Sequence, residues 1–369
     1  MLLLVVDGGA THSRAILCDA ALGLLAYANG PPASAAPRLD GASRGAEAGQ
    51  ALRAALTKLH RLLIGQTGAI RTPVEVVAGL AGTGRAAGRA RARCALQASL
   101  AACDIPIKSL ELLTDAHLAL RAVAPTRGGP AAIVLAGTGS IALADDGHGR
   151  THQTGGRGHY LSDEGGGFWF GAQLLAAVIR HADGRAPGAK AAAAAALAGI
   201  GLSDADALVE TAPDLWRTPT RVASLAPIAL TLASRGDPFA QSLVARAASA
   251  LAELALTARQ ALAMSPTAPL GWAGSLLSPS LPTGGVHAYP PHDASSPAAV
   301  TASGDFAALP PAANPLPAAL RSALPYPLAP IAGPLTTPPV VGAACSWLRR
   351  QCGSDAAQRL LDTLPTPPG

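Results

Sequence analysis

The chain has 369 residues, of which 49% are hydrophobic, 14% charged and only 3% aromatic. That length suits two domains with sizeable cores, and the hydrophobic fraction excludes wholesale disorder. The 28 basic and 23 acidic residues give a formal charge of +5. They lack the basic stripe with interleaved aromatics that marks a nucleic-acid binder, although phosphate-bearing small molecules remain suitable partners.

Met1 runs directly into an apolar stretch at 2–6 without a basic leader, and no run of 18 apolar residues occurs. Neither a signal peptide nor a membrane span is expected. The five cysteines, Cys18, Cys94, Cys103, Cys345 and Cys352, form no C-x-x-C pair. Reduced thiols in a cytoplasmic protein are the expectation.

The run at 2–6 ends in Asp7-Gly8-Gly9, which reads as a buried strand followed by a tight turn. Residues 14–18 read as the returning strand of a hairpin. Residues 30–45 are Pro-, Ala- and Gly-rich and read as a loop. Leu52, Ala55, Leu56, Leu59, Leu62 and Leu63 then repeat with a helical period. A strand follows at 74–80, a helix at 85–102 whose arginines line one face, and a strand at 110–114 ending at Asp115. After a short helix and a turn at 126–130, residues 131–136 form another apolar strand. It leads into Gly137-Thr138-Gly139-Ser140 and a second hairpin of the same design as the first.

From 168 to 264 the chain is Ala- and Leu-rich and reads as helical, most clearly at 220–234, with a kink at Pro227, and at 238–264. A strand is expected at 269–274, a loop or disordered insertion at 278–317, a last strand at 328–332 and a last helix at 342–351. Strands alternating with helices predict an α/β protein with mixed sheets.

Four segments carry chemistry. In Asp7-Gly8-Gly9-Ala10-Thr11-His12-Ser13-Arg14, small residues let backbone N–H groups approach an anion, hydroxyls add donors, and the carboxylate suits a hydrated Mg2+. An ordinary hairpin turn is the plain alternative. Gly137-Thr138-Gly139-Ser140 repeats the arrangement. In Gly155–Gly167 six glycines surround Asp163 and Glu164, which suits close backbone approach to a ligand as well as a surface loop. Thr114-Asp115-Ala116-His117 places an acid at the end of a strand, where α/β ligand sites gather, although Asp115 also suits a helix cap. Other matches lack their context. Gly41-Ala42-Ser43-Arg44-Gly45 has no strand before it, and the glycines at 82, 84 and 88 are misspaced for a dinucleotide turn. His148, His152 and His159 suit solvated or hydrogen-bonded roles better than a metal site.

With these residues in order, the chain resembles the N-acetylglucosamine kinase and BadF/BadG-type ATPase family, within the superfamily of sugar kinases, heat-shock chaperone ATPases and actin. Its likeness rests on Asp7–Arg14, Ala78-Gly79-Leu80-Ala81-Gly82, Thr114-Asp115-Ala116, Leu135–Ser140 and Gly155–Gly167. Near the end it includes Ala273-Gly274-Ser275 and Val341-Gly342-Ala343-Ala344. The resemblance implies two ribonuclease-H-like domains of the actin-like ATPase fold around an interdomain cleft, at 1–128 and 129–369. It implies ATP and Mg2+, with the phosphates held by Asp7, Gly8, Gly9, Thr11, Ser13, Arg14, Gly137, Thr138 and Gly139, the adenosine by Gly274 and Ser275, and the metal by Asp7. Asp115 matches the family's catalytic carboxylate, and Thr138, Gly156, Asp163 and Glu164 match the sugar site. The implied reaction is phosphoryl transfer from ATP to the 6-hydroxyl of glucosamine or N-acetylglucosamine, by a cytoplasmic protein for which a homodimer is compatible and a nucleic acid or membrane partner is not expected. The chain departs from the family pattern at Gly30-Pro31-Pro32-Ala33-Ser34, which lacks the family's sugar-holding Asn, and at Arg157, where an aromatic is common. An ATPase driving a partner protein and a non-catalytic sugar or nucleotide sensor are the competing readings.

Overall fold

The computed structural model describes residues 1–9, 12–35, 46–123, 129–278, 313–324, 332–335 and 339–364. The chain forms two compact units. The first comprises Met1–Ala131, Asp145–Arg150 and Leu335–Gly369; the second comprises Ala132–Ala144 and Thr151–Pro334.

In the first unit, β1 (Leu2–Gly8), β2 (Ser13–Asp19), β3 (Gly23–Gly30), β4 (Val74–Leu80) and β5 (Ile107–Leu113) form one sheet in the order β3-β2-β1-β4-β5. β1 is antiparallel to β2 and parallel to β4. The central strand is apolar at every position from Leu2 to Val6 because both of its faces are covered. Alternation of side chains sends Leu4 and Val6 into a core with Leu52, Leu56, Leu59 and Leu63 of α1 (Ala46–Thr67) and Leu96 of α2 (Ala86–Ala101). Leu3 and Val5 point into a second core with Val340, Val341 and Trp347 of the helix Pro339–Cys352 and Leu360 of the helix Ser354–Asp362. Each fully buried Leu or Val contributes roughly 2 kcal/mol. This second core draws the last residues of the chain back onto the first sheet, whereas a single boundary after residue 128 assigns them to the second domain.

In the second unit, β6 (Ala131–Ala136), β7 (Ser140–Asp145), β8 (Thr151–Gly155), β9 (Leu270–Ala273) and β10 (Ala332–Pro334) follow the order β10-β9-β6-β7-β8. By rank along the chain this is the strand order of the first sheet, and β9 lies between β6 and β10, parallel to both. Both units are therefore ribonuclease-H-like. A helical layer covers the second sheet: α4 (Gly167–Ala182), α5 (Lys190–Ile200), α6 (Ala205–Arg217), α7 (Pro219–Ala223), α8 (Ala226–Ser234), α9 (Pro238–Ala261) and α10 (Pro315–Ala323). By length and composition alone α9 could cross a membrane, but Leu243, Val244, Ala247 and Leu251 lie in the unit's core, as in the buried helix of a folded domain.

Several elements differ from the sequence reading. The helix expected at 220–234 is two helices, and Pro227 lies in the first turn of α8, where a missing N–H costs no intrahelical bond. Of the insertion expected at 278–317, residues 279–312 lie outside the described residues. Its last residues instead begin α10, capped by Asn314, whose Oδ1 accepts the Leu316 N–H. The last strand is Ala332–Pro334; 328–331 lie outside the described residues, as do most of the turn at 126–130 and the Gly41–Gly45 segment.

Candidate functional site

In the first unit the parallel strands β1, β4 and β5 bring three strand ends together, the position where α/β folds collect ligand-binding residues. β1 ends at Asp7-Gly8. The Gly9 N–H donates to the His12 carbonyl at 2.9 Å, and the segment after Gly30 is stitched alongside. There Ala33 N–H donates to Gly9 O at 3.0 Å, and Ala81 N–H to Gly8 O at 2.7 Å. A side chain at Gly8 would strike Leu80 Cδ2 at 2.5 Å and the Ala33 carbonyl at 2.6 Å, so only glycine fits this crossing. Ser13 is fully buried, and its hydroxyl donates to the Pro31 carbonyl at 2.7 Å. Its proton is committed to the fold. Thr11 lies outside the described residues.

Asp115 is the first residue of α3 (Asp115–Leu120). The cap is Thr114, whose side chain accepts the His117 N–H at 3.1 Å; Asp115 Oδ1 accepts the neighbouring Ala116 N–H at 3.0 Å. Thr114 takes the cap because its backbone is still extended, at φ −76° and ψ 158°. The segment is anchored by Thr83, a residue the sequence reading did not single out. It is 1% exposed, and its hydroxyl lies 2.7 Å from the Leu80 carbonyl and 3.0 Å from that of Leu113, joining the ends of β4 and β5.

Asp7 feels the charge of Asp115. Burial, the negative charge of Asp115 and, in the opposite sense, the guanidinium of Arg14 leave Asp7 raised to about 6. Arg14 faces Asp7 across the β1–β2 pair. Burial also raises Asp115, with the Ala116 N–H opposing it. Asp7 and Asp115 therefore form a poised acidic pair, in which protonation and cation binding are both cheaper than at an exposed carboxylate.

In the second unit, β6 and β9 end side by side. Between β6 and β7 the Gly137 N–H closes the turn onto the Gly139 carbonyl at 2.9 Å. The first N–H groups of α4 dock onto the same turn: Gly167 donates to Gly137 O at 2.7 Å and Phe168 to Thr138 O at 2.9 Å. These bonds satisfy helix-start donors that otherwise lack partners. The Ser140 hydroxyl donates to the Glu164 carbonyl at 2.6 Å. Thr138, Gly274 and Ser275 are exposed at this strand-end edge. Gly274 has φ +108°, and a side chain there would run into the Ala136 backbone.

Asp163 leans directly over the turn. A methyl group on Gly139 would meet its Oδ2 and would sit 2.7 Å from its Cγ. Asp163 is 9% exposed and holds a left-handed backbone, φ +71°, which is uncommon for a non-glycine residue. Burial raises its pKa, opposed by the Gly158 N–H, His159 and the Ser140 N–H. Glu164 and Gly156 are exposed beside it. The predicted residues thus gather into two groups, one in each unit: Asp7, Gly8, Gly9, Arg14 and Asp115, and Gly137–Gly139, Asp163, Gly274 and Ser275.

A family model described as the BadF/BadG/BcrA/BcrD ATPase family matches residues 4–287. Among solved structures, a provisionally assigned N-acetylglucosamine kinase from Chromobacterium violaceum matches with a TM-score of 0.63 at 22% identity. The match covers 94% of this chain and 98% of that one. A second provisionally assigned N-acetylglucosamine kinase, from Porphyromonas gingivalis, matches with a TM-score of 0.51 at 21% identity, covering 73% and 84%. Both likenesses are likenesses of fold. In sequence, 74 residues are 36% identical to the N-acetylmuramic acid/N-acetylglucosamine kinase of Clostridium acetobutylicum. They represent 20% of this chain and 24% of that relative, so the chain matches about a quarter of the relative's length.

Proposed function

The chain belongs to the BadF/BadG/BcrA/BcrD ATPase family, and on that premise we propose that it is an ATP-dependent kinase acting on the 6-hydroxyl of an amino sugar, glucosamine or N-acetylglucosamine. The observation that carries this reading is Asp115, a partly buried carboxylate at a strand end whose pKa is raised by burial and whose charge in turn raises Asp7. A general base works best when its pKa approaches the operating pH, and burial moves Asp115 in that direction. In the proposed step Asp115 accepts the hydroxyl proton as the sugar oxygen bonds to the γ-phosphorus. The bond to the β,γ-bridging oxygen breaks, and ADP leaves.

The donor set fits Mg2+. Asp7 offers the hard oxygen this ion prefers, and positive charge there would relieve the repulsion from Asp115. Among the described residues no three His, Cys, Asp or Glu gather into a metal-holding group. Asp7 would therefore share the ion with phosphate oxygens and water. When bound, the ion supplies neutralisation of phosphate charge.

In this reading the backbone of Gly8 and Gly9 and the guanidinium of Arg14 approach phosphate. The Gly9 and Gly137 N–H groups are already committed, to the His12 and Gly139 carbonyls, so Gly9 contributes a close approach without a donor, and the donors at the second turn are Thr138 and Gly139. Gly274 and Ser275 receive the adenosine. Asp163, with Thr138, Gly156 and Glu164, orients the sugar, and positioning of this kind supplies most of the rate in phosphoryl transfer. The N-acetylmuramic acid/N-acetylglucosamine kinase match supports an amino sugar as the acceptor class. The test is the phosphorus–proton coupling of the product by NMR. Coupling to the C6 protons supports the assignment, and coupling to any other ring proton moves the acceptor hydroxyl.

A further inference from the structure

The loop that carries Asp163 holds two side-chain atoms that the fold leaves unused. Asp163 Oδ1 is buried without a hydrogen-bond partner, and so is His159 Nε2, four residues earlier. Buried polar atoms are costly to leave unpaired, and two in one short loop call for an explanation. The backbone adds to the cost, because Asp163 holds its left-handed conformation at this same place.

The imidazole is held by ring packing alone. Its centroid lies 4.1 Å from that of Tyr160 and 4.5 Å from that of Phe168. Phe168 is buried and packs on Trp216 at 5.3 Å, while the Tyr160 hydroxyl donates to the Trp216 carbonyl at 3.2 Å. These contacts fix the ring plane without occupying a ring nitrogen. Burial lowers the pKa of His159, and the Asp163 carboxylate acts in the opposite sense, which places the two groups within electrostatic reach. A neutral imidazole offers one donor and one acceptor, whereas an ionised carboxylate only accepts.

We propose that His159 is an acceptor-sugar contact whose Nε2, together with Asp163 Oδ1, binds two adjacent polar groups of the sugar: a pair of hydroxyls, or a hydroxyl and an amide. This assignment rests on the reading of the Asp163 loop as the sugar site. It adds a specificity-determining residue from a position that the sequence reading gave a solvated or hydrogen-bonded role. The structure places the Nε2 atom out of solvent and without a hydrogen-bond partner.

The experiment compares wild type with His159→Phe, which keeps a packing ring and removes both nitrogens, and with His159→Gln, which keeps an N–H donor. N-acetylglucosamine and glucosamine are titrated into each by calorimetry, and KM is measured for sugar and for ATP. Loss of one hydrogen bond predicts sugar binding weakened about tenfold in His159→Phe. The loss should appear in the sugar KM and not in the ATP KM, and His159→Gln should recover part of it. A purely structural role would instead lower the melting temperature and shift both KM values together. Unchanged sugar binding in His159→Phe, with wild type binding normally, overturns the assignment of His159 alone. Failure of the wild-type chain to bind either sugar overturns the sugar-site reading, and the assignment with it.

Discussion

The two glycine turns begin alike and end in different chemistry. Each follows the central strand of a five-stranded sheet of the same order, and each packs too tightly for a larger residue at one glycine. The turn after β1 carries its own charge, because Asp7 sits at the strand end with Asp115 in its field and Arg14 across the ladder. The turn after β6 carries none. Its carbonyls are consumed by the start of α4, and its carboxylate, Asp163, comes from a loop that folds back over Gly139. Two sheets of the same strand order can therefore present different surroundings through what packs against each turn, an acidic pair at one and a single carboxylate folded over the glycines at the other.

The largest expected effect tests the charged turn. Asp115→Asn should keep ATP binding and lower the rate of transfer by about 10²–10⁴-fold, the usual contribution of a positioned base. A variant with near wild-type turnover would remove Asp115 from the chemistry. Next comes the uncharged turn. Gly139→Ala forces Asp163 out of its place, and a misplacement of about 1 Å can cost about 10²-fold in kcat/KM for the sugar. The damage should spare the ATP KM more than the sugar KM. Equal losses in both would mean that the turn, not Asp163, is the sensitive element.

The smallest effect concerns stability and has the opposite sign to the loss of function. Asp7 is raised to about 6 in the folded chain, above the usual carboxylate value, so its ionised form opposes folding. That penalty is full above pH 6, fades as pH falls through 6, and is gone once the unfolded chain is also protonated, near pH 4. Asp7→Asn should therefore raise stability at pH 7–8, by up to about 3 kcal/mol, while impairing activity. Denaturation at pH 4 should show no such gain. Wild-type activity should fall as pH drops below about 6, and excess Mg2+ should move that limb to lower pH by stabilising the ionised carboxylate.

The central strands were legible because both faces are buried, which writes a continuous apolar run ending in glycine at Leu2–Gly8 and again at Ala131–Ala136. The strands that escaped notice, Gly23–Gly30 and Thr151–Gly155, lie at the edges of their sheets. An edge strand is half-solvated, and the sequence Thr-His-Gln-Thr-Gly has no apolar period to read. Asp7, Asp115 and the glycine turns were singled out by strand ends and small residues in the sequence, and their roles by the family resemblance. The work of Thr83 could not be, since it depends on two strand ends distant in sequence, Leu80 and Leu113, meeting at one hydroxyl. The commitment of the Ser13 hydroxyl to Pro31 was hidden for the same reason. Nor did sequence show that Val340, Val341 and Trp347 return to cover Leu3 and Val5, because an apolar helix does not name the face it will cover.

A sugar kinase turns over ATP only when its acceptor is present. ADP release from Mg-ATP should be measured with glucosamine, N-acetylglucosamine, N-acetylmuramic acid, glucose and no sugar. Release should be near background without sugar and rise with an amino sugar. Release that is rapid without any sugar would contradict the kinase reading and point to an ATPase acting on a partner protein. ATP binding without release under any condition would contradict it in favour of a sensor.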